Sequence, residues 1–252
     1  MMKSTACPFP RLLAAAALLL TYPLASTAAV PDRATLEQAR TAAAAAPQAV
    51  ATSGATVIPP VSVPYGRTYE EWSVIWWQWY LALTIDDVGS CPVKRLGPVV
   101  MLPSTYRQCS FTVPANTALF VNVGNVHCSD LEIGPMHGGT PSERVNCAAS
   151  YVPENSTPQG GLSMEVDDVP VPNLTSYRVV SPDFPFVVSP ENIFNIGCGS
   201  YPCSGNAAGA GYYVMLAPLP AGVHNIRLFA PSFDVSSSFR ISVEPGREGN
   251  GR

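Results

Sequence analysis

Three histidines, His127, His137 and His224, are all that this 252-residue chain offers for proton transfer near neutral pH. Two of them belong to its densest polar cluster, His127-Cys-Ser-Asp130-Leu-Glu132 followed by His137. Imidazoles and carboxylates this close can hold a divalent cation or act as acid and base. The same residues also suit a solvated loop pinned by a disulfide. Their spacing matches no metal-ligand template, so no metal and no cofactor is assigned. His127 stands as a catalytic candidate, and Asp130, Glu132 and His137 as binding candidates. His224 alternates with Ile226 and Leu228 on one strand face, the position of a core histidine. Beside Tyr212 or Tyr213 it is also a candidate base, as in a polysaccharide lyase that abstracts a proton next to a carboxylate. Among the predicted strands only Arg178, Arg227 and Arg240 carry positive charge, little to neutralise such a substrate. Asp86/Asp87 and Glu165/Asp167/Asp168 could pair as glycosidase acids or bind calcium. Adjacent acids in turns are more often surface charge, because neighbours on a strand point to opposite faces.

Other chemistries lack their motifs. There is no Gly-x-Ser-x-Gly, His-Glu-x-x-His, phosphate-binding glycine loop or dinucleotide fingerprint. Gly205-Asn-Ala-Ala-Gly-Ala-Gly211 precedes a strand and not a helix, so it lacks a dipole for phosphate and reads as a flexible loop. A net charge of −4, with Lys and Arg scattered and adjacent only at Lys94-Arg95, gives no nucleic-acid footprint.

The elements that must position these residues begin with a targeting signal. Lys3 and Arg11 form a positive region ahead of an apolar run, Leu12–Leu20, followed by the small residues Ala25–Ala29: a signal peptide over 1–29, too short to persist as a membrane anchor. The expected location is therefore secreted or periplasmic, without stable membrane insertion. Six cysteines remain after it, and an even number in an oxidising compartment reads as three disulfides. Sequence alone does not choose among the fifteen pairings; the consecutive one is favoured because it staples one loop each: Cys91–Cys109, Cys128–Cys147 and Cys198–Cys203. Residues 30–60 form an Ala/Pro-rich linker, 61–244 the working domain, and 245–252 a frayed tail.

Thr68-Tyr-Glu-Glu71 fits a capping box, and Tyr69–Leu83 reads as a helix carrying all four tryptophans. Trp72, Trp76, Trp79 and Leu83 make one stripe, while Val74, Trp77 and Leu81 occupy the other side. A helix apolar on two sides is a buried one. Short alternating runs then follow: Gly97–Pro103, Gln108–Val113, Thr117–Val123, a hairpin turning at Asp167-Asp168, Tyr177–Val180 and Phe184–Val188. Gly211–Ala217 and Val223–Phe229 form a second hairpin, and Ser237–Val243 closes the domain. Long loops are expected over 126–158 and 192–210. The fold class is mainly β: an antiparallel β-sandwich, jelly-roll or immunoglobulin-like, with one buried tryptophan-rich helix.

The segments Glu71-Trp-x-x-x-Trp-Trp-Gln-Trp79, Cys109-Ser-Phe-Thr-Val-Pro-Ala-x-x-Ala-Leu-Phe120 and Leu216-Ala-Pro-Leu-Pro-Ala-Gly-Val-His224 together resemble a group of uncharacterised, predicted secreted bacterial proteins. The resemblance spans roughly residues 69–243. It implies export and a β-rich fold, and carries over no catalytic residue. The functional expectation is a binding or structural module, for an envelope or extracellular glycan; the alternative is a secreted carbohydrate-active enzyme, lyase or hydrolase.

Overall fold

The computed structural model describes residues 50–52, 55–103, 108–154 and 157–245. The signal-peptide reading and residues 246–252 of the tail lie outside them. Among the described residues thirteen strands form two sheets. The larger runs β1 (Val50–Thr52), β2 (Ala55–Ile58), β11 (Cys203–Leu216), β6 (Ala118–Ser129), β4 (Val99–Leu102) and β3 (Lys94–Leu96). β9 (Arg178–Val180) and β10 (Phe184–Val188) also pair with β11. The smaller sheet runs β5 (Gln108–Val113), β13 (Val235–Val243), β12 (Gly222–Ala230), β7 (Ser163–Val166) and β8 (Val169–Pro170).

Both sheets are mixed, which corrects the all-antiparallel expectation. β4 pairs parallel with β6, and β5 parallel with β13. Alternation reports which face of a strand is buried and is blind to strand direction. β1 and β2 fall inside the stretch read as linker. β2 pairs with β11 and buries Ala55 and Val57.

Helix α1 (Tyr69–Leu81) starts at the expected capping box: Glu71 N–H donates to Thr68 Oγ1 at 3.3 Å, and Thr68 N–H to Glu71 Oε2 at 2.8 Å. It lies on one face of the larger sheet. Trp72 meets Phe120, Trp76 meets Tyr213 and stacks on Tyr80 at 4.4 Å, and Phe120 stacks on Tyr213 at 5.4 Å. Trp72, Trp76 and Trp77 are buried, and Trp79 is half-buried. Indole N–H groups at this depth need acceptors. Trp72 donates to the Pro64 carbonyl at 2.9 Å and Trp76 to that of Leu102 at 2.8 Å. Tyr69 ties two strands together: its hydroxyl donates to Ile58 O at 2.6 Å and accepts from Met215 N–H at 3.0 Å.

The glycine-rich stretch 205–211 is not a flexible loop but part of β11, buried from Ala207 onward. Its glycines admit neighbours that a side chain would exclude. A Cβ on Gly209 would lie 2.0 Å from Trp77 Nε1, and one on Gly211 2.4 Å from Asn125 Cβ. The opposite face of the larger sheet meets elements of the smaller one, Gly124 lying against Ala230 and Phe233. Ile226, Leu228, Phe239 and Ile241 alternate into that core.

A second helix, α2 (Pro141–Tyr151), occupies part of the stretch expected to be a loop. Thr140 and Glu143 form its capping box, with Pro141 at the first helical position. It buries little more than Arg144 and Ala148, so no apolar stripe announces it. The three disulfides adopt the favoured consecutive pairing: Cys91–Cys109, Cys128–Cys147 and Cys198–Cys203. The second ties α2 to β6. Among the described residues no helix is long and apolar enough to cross a membrane.

Candidate functional site

The structure does gather His127, Glu132 and His137, and then commits them to bracing. His127 sits on β6 opposite Gly209, 7% exposed, its ring 4.8 Å from Trp77 and 5.1 Å from Phe194. Its Nε2 lies 3.2 Å from Glu132 Oε1, close enough for an ion pair but outside hydrogen-bond geometry. Ser129 Oγ accepts from the Leu131 and Glu132 N–H groups, and His137 Nδ1 lies 3.0 Å from the Glu132 carbonyl. Asp130 accepts from the Asn206 backbone and side chain at 2.8 and 3.2 Å. Buried Arg144 spans the base of this loop, donating twice to Asp183 (2.6 and 3.0 Å) and once to the Gly138 carbonyl. Among the described residues no three His, Cys, Asp or Glu side chains converge to hold a metal ion.

His224 is neither a core histidine nor a free base. It is half-buried; Nδ1 lies 2.7 Å from Asp167 Oδ2 and Nε2 2.9 Å from the Pro220 carbonyl. Asp167 Oδ1 also accepts from Asn225 N–H, and Asp167 and Asp168 both take left-handed φ, 51° and 65°, at the β7–β8 turn. Glu165 and Asp168 pair with Arg227, each at 2.6 Å. Asp87 caps the turn Ile85–Gly89, held below the ordinary carboxylate value by the Thr84 N–H. These acids hold turns and hairpins.

Tyr213 faces α1, fully buried; its hydroxyl accepts from Asn125 Nδ2 at 3.0 Å, and burial pushes its pKa up despite that bond. Trp77 Nε1 lies close enough to that oxygen to favour ionisation slightly, yet no acceptor meets hydrogen-bond geometry with it. Both amide atoms of buried Asn122 likewise lack a partner. Tyr213 therefore has no route to a substrate. Tyr212, one residue earlier, points the other way, its ring 6.2 Å from Phe233.

Tyr212 is the one candidate that reaches a cleft of about 720 Å³. That volume lies within the usual range for small-ligand sites. Three aromatic rings line it: Tyr212 on β11, Tyr151 at the end of α2, and Phe233 in the turn Pro231–Phe233. Asn125, Thr157, Gln159, Ser232 and Asp234 supply the polar lining, with Asp234 the only carboxylate. The walls are fixed by identifiable devices. The Cys128–Cys147 bridge anchors α2, and Arg178 Nε donates to the Val152 carbonyl just past its end, at 2.6 Å. Ser232 Oγ donates to the Gln159 carbonyl, and Asp234 leaves the turn at φ 54°. Gly160, at φ +81°, packs against Pro231, where a Cβ would fall 2.5 Å from the proline ring. Tyr151 remains 42% exposed. Sequence reasoning missed every member except Tyr212. The one available signal was Thr140-Pro-Ser-Glu143, a capping box opening the helix that presents Tyr151.

The architecture thus defines a mainly β chain stapled by three disulfides, with an aromatic-lined cleft between α2 and the loops of the smaller sheet. No family model matches the chain, and no curated protein matches it. A solved structure titled "Solution Structure of Amebosin" aligns at 12% identity over 55% of this chain and 98% of its own, with a TM-score of 0.16. A likeness that slight carries no argument.

Proposed function

We propose that this chain is an exported binding module, a β-sandwich that holds a neutral glycan ring in the cleft between Tyr151 and Phe233. The observation that carries the reading is that cleft: aromatic faces for a sugar's C–H side beside amides and hydroxyls for its O–H groups. Export rests on the signal sequence and the disulfides, and the resemblance to predicted secreted proteins points the same way. A hydrolase needs two acids about 5 Å or 6.5–9.5 Å apart, and Asp234 stands alone in the cleft. A lyase base is missing as well, since His224 is engaged on both nitrogens.

Affinity electrophoresis of the mature protein on a polysaccharide panel, with product assays in parallel, tests this. Retention is expected without reducing-end or unsaturated products. Tyr151→Ala should weaken it about tenfold, the worth of one stacked ring. Turnover would overturn the passive role, and retention unchanged in both Tyr151→Ala and Phe233→Ala would remove the cleft.

A further inference from the structure

We infer that the outer edge of β5 is a self-association surface, through which two copies of this chain pair antiparallel and join their smaller sheets. The argument is independent of the cleft. β5 is a terminal strand of its sheet, held on one side by β13. Val113 O accepts from Glu244 N–H at 2.9 Å, so the main-chain groups of Cys109, Phe111 and Val113 face β13. By alternation those of Gln108, Ser110 and Thr112 face the open edge. Among the described residues no neighbouring main chain engages them. The bridged Cys91 lies against the start of the strand, its Cα 5.7 Å from that of Cys109 and its Sγ 3.6 Å from the Gln108 carbonyl oxygen.

Proteins usually blunt such edges with charge, proline or a bulge. Two of the other edges show this: β3 presents exposed Lys94 and Arg95, and β8 ends in Pro170, whereas the short β1, Val-Ala-Thr, carries neither device. β5, Gln-Cys-Ser-Phe-Thr-Val, has neither charge nor proline, although the chain as a whole is acidic. A negatively charged protein meets its own copy most readily where it carries no charge. A two-fold axis through Phe111 would set Ser110 opposite Thr112 of the second copy, each pair exchanging two N–H···O bonds. An extended segment of another protein would need the same groups, but neutrality of the strand against itself favours a second copy.

Sedimentation equilibrium on the mature protein up to about 100 μM tests the inference, a span that reads dissociation constants in the micromolar range. The wild type is expected to dimerise. Ser110→Pro removes one outward N–H and leaves the β13 ladder intact. The double variant Ser110→Glu with Thr112→Glu sets like charges directly opposite. Both should be monomers with native ellipticity. Ser110→Lys with Thr112→Glu, which sets opposite charges across the same axis, should restore the dimer. If the proline variant does not fold, the charge pair decides, since it leaves the backbone unchanged. A wild type that is monomeric throughout, or a dimer indifferent to all three changes, overturns the proposal.

Discussion

Tyr212 and Tyr213 are adjacent on one strand, yet they belong to two different kinds of protein surface. Tyr213 looks into the layer under α1, where Phe120, Trp76 and Asn125 close around it. Tyr212 looks toward Phe233 and the cleft beneath α2. The α1 side is dry and aromatic, and spends its side chains on joining helix to sheet. The α2 side buries little of its helix and secures it with a disulfide, an arginine and a capping box. A helix held by a few discrete ties can leave a hollow beside it, whereas a helix held by packing fills the space it covers. Burial of both tyrosines pushes their pKa up, so neither is poised as a base near neutral pH.

The largest effect that separates the two sides is the cost of deleting a ring. Trp76→Ala should destabilise by about 3–5 kcal/mol, from lost burial plus the cavity left under α1. Tyr151→Ala, at an exposed rim, should stay within about 0.5 kcal/mol. Chemical denaturation of both variants checks this. Equal losses would mean that the cleft wall is as integral to the core as the tryptophan helix, and the contrast between the sides would fail.

Legibility in the sequence follows the same divide. α1 could be read because its capping box and its indoles speak through local spacing, and β5, β10 and β13 because alternation marks a buried face. The half of β11 that passes under Trp77 could not, because glycines there record the close approach of a distant helix, which no local pattern encodes. The direction of β5 and β4 was hidden because alternation is the same whichever way a neighbouring strand runs. The number of bridges was readable from the even cysteine count, but their pairing only as a preference for short loops among fifteen possibilities, which the structure resolves. The cleft was not, because Tyr151, Asn125, Gln159, Phe233 and Asp234 come from separate segments with no shared periodicity. His127 and Glu132 do meet, but their types alone could not reveal that Trp77 and Phe194 would enclose the imidazole.

The two capping boxes sharpen the comparison at smaller scale. Thr68→Ala and Thr140→Ala each remove a hydroxyl that accepts a first-turn N–H at 3.3 Å, worth about 1 kcal/mol. The Thr68 loss should appear in global stability, since α1 cannot loosen without opening the aromatic layer. The Thr140 loss should appear chiefly as faster amide exchange within α2, because the disulfide keeps that helix attached after it frays. Exchange rates read by mass spectrometry separate the two outcomes, and uniform protection loss across the chain in Thr140→Ala would argue for a single cooperative unit.

The smallest effect is titration of the α2 cap. Glu143 is held below its ordinary value of 4.5, first by the Thr140 N–H and then by the Thr140 hydroxyl, with the Gly139 N–H and His137 adding to it. A carboxylate with a depressed folded pKa contributes stability that is fully present above the unfolded value. It is lost as pH falls through the folded value, since the folded state resists the proton that the unfolded state accepts. Wild type should therefore exceed Glu143→Gln in local protection of α2 above about pH 5, and the two should converge as the medium is acidified below the ordinary value. Asp87 follows the same sign at the turn after α1, so Asp87→Asn provides the matched control on the packed side. There the neighbouring aromatic layer should mask the loss, and a larger acid response at Asp87 than at Glu143 would reverse the assignment of which side depends on discrete ties.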